Sequence, residues 1–70
     1  MTEIELKNFE TLKKFHIGDN VTTTNKGEML FGTVTKYQLK EPGYVWIEVE
    51  MIDIQNYEYL FRPEELEVIK

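Results

Sequence analysis

Residues Tyr44 to Met51, YVWIEVEM, alternate without interruption. Val45, Ile47, Val49 and Met51 fall on one side of an extended chain and Tyr44, Trp46, Glu48 and Glu50 on the other, a period of two that no helix satisfies. A strand with one apolar face needs partners, and the flanking sequence supplies them in short pieces. Leu30 to Tyr37 places Leu30, Gly32 and Val34 on one face and Phe31, Thr33, Thr35 and Tyr37 on the other. Asn56 to Phe61 sets Tyr57, Tyr59 and Phe61 against Glu58 and Leu60. Val21-Thr22-Thr23-Thr24 is β-branched throughout and favours extended backbone.

Turn chemistry separates these runs. Gly18-Asp19-Asn20 leads into the first, Asn25-Lys26-Gly27 closes a hairpin to the second, and Gln38 to Gly43 carries the Pro42-Gly43 pair. Pro63 has no N–H to give a ladder, so Pro63-Glu64-Glu65-Leu66 reads as one tight helical turn before a last strand over Glu67 to Ile69. The N-terminal segment differs in period. Thr2 and Glu5 have the form of a capping box for a helix over residues 2 to 14, with Ile4, Leu12 and Phe15 on one side and Phe9 at its edge. Asn8 is an alternative cap for a shorter helix over Phe9 to Lys14.

Seventy residues leave no room for parallel crossovers, which need a dozen or more residues each. The expected architecture is mainly β: one domain over residues 1–70, a helix over 1–15, and a small, strongly bent, five-stranded antiparallel barrel over 16–70. A chain this short buries only about 60% of its unfolded surface. With no cysteine, it has neither disulfides nor a thiolate zinc site, so packing alone must hold it. Apolar residues at 41% and charged residues at 30% lie in the range of chains that fold. The N-terminus MTEIELKNFETLKK interrupts its apolar residues with charge, unlike a secretory signal, and no apolar run is long enough for a membrane span. These features predict a cytoplasmic protein. One arginine against seven lysines is the usage of an A+T-rich coding sequence, as in a low-GC bacterium or its phage.

The segments FHIGDNV, FGTV, YVWIEV and FRPEELEVI together resemble the SH3-like small barrels of KOW-type, Tudor-type and related bacterial and phage domains. The resemblance spans Phe15 to Ile69. Gly18-Asp19 is similar to the turn into the first strand, Gly32-x-Val34 to the bent second strand, and Pro63-Glu64-Glu65-Leu66 to the turn before the last. It implies a five-stranded SH3-like antiparallel barrel and leaves activity open, because this fold hosts many unrelated functions. The Ala-Leu-Tyr-Asp-Tyr segment of signalling SH3 domains is absent, and so is a diagnostic aromatic cage.

Pairing the second and third strands across Gln38 to Gly43 predicts Tyr37 near Tyr44, Thr35 near Trp46 and Thr33 near Glu48, an outward aromatic strip. If the next hairpin turns Tyr57, Tyr59 and Phe61 inward, Arg62 reaches Trp46 and Glu50 meets Glu58. The candidate binding residues are Phe31, Tyr37, Tyr44, Trp46 and Arg62, since large aromatics with an arginine dominate interface energy. The competing use of that strip is as a seat for the N-terminal helix, whose Phe9, Leu12 and Phe15 need cover.

No catalytic or metal site is expected. His16-x-x-Asp19 offers two groups where a metal site needs three or four, Glu64, Glu65 and Glu67 suit the positive end of a helical turn, and the threonine run has no base beside it. A net charge of −5 disfavours nucleic acid. The expected function is therefore a non-enzymatic protein-binding module without cofactor, membrane or small-molecule substrate, acting on a protein partner or as a homo-oligomer. Nucleic-acid binding through Lys36, Lys40, Arg62 and the aromatics is the alternative, and an acidic DNA-mimic inhibitor a further one.

Overall fold

The computed structural model describes residues 1–24, 30–52 and 58–69. The predicted turn at Asn25-Lys26-Gly27 and the predicted strand positions Asn56 and Tyr57 lie outside them.

Helix α1 spans Glu3–Lys14. Thr2 is its cap: the Glu5 N–H donates to Thr2 Oγ1 at 3.1 Å, and the Thr2 hydroxyl donates to Glu5 Oε1 at 3.1 Å. Glu3 and Glu5 in the first turn and Lys13 and Lys14 in the last complement the helix dipole. The helix ends at Phe15, which turns extended while its N–H still bonds Thr11 O at 2.9 Å.

The strands are β1 (Asn20–Thr23), β2 (Phe31–Lys40), β3 (Tyr44–Met51), β4 (Glu58–Phe61) and β5 (Leu66–Val68), with a 3-10 turn at Pro63–Glu65 before the last. They form one antiparallel sheet in the order β4-β3-β2-β1-β5. No β4–β5 ladder closes it among the described residues. Even so, its two ends share one core. Phe15, Val21, Val34, Ile47, Val49, Met51 and Leu66 are buried together, with Tyr59 and Phe61 of β4 and Val68 of β5 packed against them. Among the described glycines, Gly32 makes the tightest approach: a Cβ there would run into Val49 Cγ1 and lie 2.7 Å from the Glu50 carbonyl oxygen.

Two expectations are corrected. The second strand runs on to Lys40, so the β2–β3 turn is only Glu41-Pro42-Gly43, with a cis Glu41–Pro42 bond and Gly43 at φ +124°. The register also shifts between Val34 and Lys36, where the Thr35 hydroxyl bonds Glu48 O at 3.1 Å. Tyr44 therefore faces Lys40, Trp46 faces Gln38, and Tyr37 faces Ile47 on the core side. The outward strip loses Tyr37, because a one-residue bulge reverses every later side chain.

The second correction is the rotation of α1. Ile4, Asn8, Thr11 and Phe15 point inward, whereas Phe9 and Leu12 remain exposed. The Asn8 carboxamide donates to Gly43 O and accepts from the Val45 N–H, both at 2.9 Å, which no apolar residue could do. Those two bonds, with Phe15 fully buried and Tyr37 donating its hydroxyl to Phe15 O, fix how the helix sits. The β3–β4 register is as expected, with Ile47 facing Phe61, Val49 facing Tyr59 and Glu50 facing Glu58.

Candidate functional site

The first residues of β3 extend past the end of β4, so their outer edge lacks a strand neighbour there. Side chains occupy it instead. Asn8 takes Gly43 O and the Val45 N–H, and Arg62 Nη1 donates to Val45 O. Between them they satisfy this part of the edge as a sixth strand would.

Arg62 is placed for this by its neighbours. It follows β4 directly and precedes Pro63, and its N–H reaches Glu65 Oε1 at 3.5 Å across the 3-10 turn. Its guanidinium carbon lies 4.7 Å from the Tyr44 ring centroid and 5.7 Å from that of Trp46, and Nε is 3.8 Å from Glu64 Oε1. Only 14% of the side chain is exposed. A guanidinium held by a carbonyl, a carboxylate and two rings is part of the framework that orients the rings. Lys7 of α1 adds its ammonium 5.9 Å from the Tyr44 centroid.

Of the five residues predicted to bind, Tyr44, Trp46 and Arg62 are therefore brought together. Tyr37 is not: it packs against the core from the opposite face. Burial and the Asp19 carboxylate raise its phenol above the ordinary tyrosine range, with a backbone hydrogen bond at Ile17 acting the other way. Phe31 is at the far end of β2, about 20 Å along the strand from Gln38. It is partly exposed beside Ile52, whose N–H bonds its carbonyl at 2.9 Å.

Beside Trp46 and Tyr44 the outer face carries Gln38, Lys36 and Lys40 of β2. Glu48 is nearly buried among them, its Oε2 3.4 Å from Lys36 Nζ and its Oε1 accepting from Gln38 Nε2 at 3.2 Å. On the other side, a groove of about 430 Å³ separates α1 from the 3-10 turn, lined by Lys7, Glu10, Lys14, Arg62 and Glu64 among others. Its charges are mixed.

The histidine–aspartate pair and the threonine hydroxyls have structural partners. Asp19 Oδ2 accepts the His16 N–H at 3.0 Å and lies 3.6 Å from His16 Nδ1. Among the described residues, no three His, Cys, Asp or Glu side chains are grouped to hold a metal. The Thr22 and Thr24 hydroxyls donate to the carbonyls of Leu30 and Glu64. Sequence reasoning missed Lys7 and Asn8 at the β3 edge. A carboxamide one turn after Ile4 and two before Phe15, on the face that should be apolar, was the available signal.

No protein-family model, curated protein or solved structure matches this chain. Among the described residues, no helix is long and apolar enough to cross a membrane.

Proposed function

We propose that this chain is a non-enzymatic protein-binding module, built as an SH3-like barrel, that recognises its partner through Trp46 and Tyr44 on the outer face of β3. The strand order β4-β3-β2-β1-β5 with a 3-10 turn before the last strand supports the barrel reading. The observation that carries the binding reading is the fixed Arg62 bracket: two half-exposed rings held by a largely covered guanidinium lose little conformational freedom when a partner covers them. The partner surface suited to it is a polar protein surface with an apolar anchor, since Lys7, Lys36 and Lys40 beside the rings offset the chain's net charge of −5 at this face.

One observation favours nucleic acid as a second reading. Lys36, Gln38 and Lys40 stand on the same face as Trp46 and Tyr44, in the interleaving that stacks bases and neutralises phosphates. It ranks second because Lys36 and Arg62 already pair with Glu48 and Glu64. Trp46 fluorescence separates the two. A single-stranded oligonucleotide titrated at low salt should leave the emission unchanged, and proteins retained from a lysate by the wild type should be lost with Trp46→Ala. Quenching by the oligonucleotide that disappears as salt rises would replace the protein reading with the nucleic-acid one.

A further inference from the structure

The solvent side of α1 carries an apolar stripe between its charged residues. Leu6, Phe9 and Leu12 are 48%, 55% and 43% exposed and follow one another at three-residue spacing, while Asn8 and Thr11 face the sheet. This stripe has an internal symmetry. Leu6 and Leu12 stand three residues either side of Phe9, and Glu5 and Lys13 four either side. Charge runs with it, carboxylates at one end of the helix and ammonium groups at the other.

A surface that repeats its apolar pattern and inverts its charge when turned end for end is complementary to itself. We infer that α1 pairs with α1 of a second copy of this chain, antiparallel, about a two-fold axis passing beside Phe9. The two Phe9 side chains meet, Leu6 stands level with Leu12 of the second copy, and Glu5 stands level with its Lys13. A parallel arrangement would put carboxylates beside carboxylates and lysines beside lysines. The bonds from Asn8 to β3 hold the helix in one rotation, so the stripe is presented without rearrangement. This surface is separate from the Trp46 face, and the dimer leaves the reading of that face untouched.

Sedimentation velocity on the full chain across a concentration series tests it. The wild type should pass from monomer to dimer as concentration rises. Phe9→Asp should stay monomeric throughout with an unchanged far-ultraviolet circular dichroism spectrum, since Phe9 is exposed. Glu5→Lys and Lys13→Glu should each weaken association by about tenfold, because each turns two attractive pairs per dimer into repulsive ones, and Glu5→Lys, which also removes the acceptor of the Thr2 hydroxyl, should lower Tm besides. Mixed one to one, these two variants should recover the wild-type association, since only a mixed dimer sets every lysine opposite a glutamate. A wild type that is monomeric at every concentration overturns the inference. So does a dimer that survives Phe9→Asp, or a mixture that associates no better than its components.

Discussion

Replacing Asn8 by alanine should lower stability although alanine is the better helix former. The carboxamide makes two hydrogen bonds of 2.9 Å to backbone groups of β3, and each contributes about 1 kcal/mol net at a half-buried site. Alanine returns about 0.6 kcal/mol of helix propensity, leaving a loss of about 1.4 kcal/mol. With an unfolding entropy of about 0.15 kcal/mol/K for a chain of this length, Tm should fall by about 9 °C. Thermal melts by circular dichroism measure the effect. A Tm within about 2 °C of wild type for Asn8→Ala would refute the reasoning.

Gly32→Ala should cost about 2 to 3 kcal/mol in urea unfolding, because its Cβ would meet the Glu50 carbonyl oxygen, which cannot turn away as a side chain can. Tyr37→Phe should lose about 1 kcal/mol at neutral pH with the bond to Phe15 O. The raised Tyr37 phenol also contributes stability that is complete below pH 10.0 and lost as pH rises through its folded value. The difference between wild type and Tyr37→Phe in alkaline unfolding should accordingly shrink above pH 10.0. Arg62→Lys keeps the charge but not the planar fork, and should cost about 1 to 2 kcal/mol while shifting Trp46 emission to the red. An unchanged emission maximum would mean that the guanidinium does not bracket the indole.

The strand elements were legible where periodicity and punctuation agreed. β3 could be read from YVWIEVEM alone, the 3-10 turn from Pro63, and the helix cap from Thr2 with Glu5. The β3–β4 register is the one in which Tyr59 and Phe61 turn inward, the condition under which the sequence brings Arg62 to Trp46. Tyr37 was misplaced because a bulge at Thr35 leaves no trace in hydropathy: Thr33, Thr35 and Tyr37 look like one face until the ladder slips. The helix was rotated wrongly for a related reason. Phe9 and Leu12 are more apolar than Asn8 and Thr11, but the unpaired backbone of β3 needs a donor and an acceptor, and that need depends on a strand 35 residues away.

The Asn8 and Arg62 side chains that close the upper edge of β3 also bear on how the protein avoids misassembly. Tyr44 to Val49 combines high β-propensity with one charge and no proline, the composition that stacks into fibrils when its backbone is free. Detachment of α1 would bare Gly43 O and the Val45 N–H at that segment, giving another chain a template to extend. The N-terminal helix is in this sense a guard as well as a surface: while it remains docked, the most aggregation-prone run in the chain has part of its edge already filled.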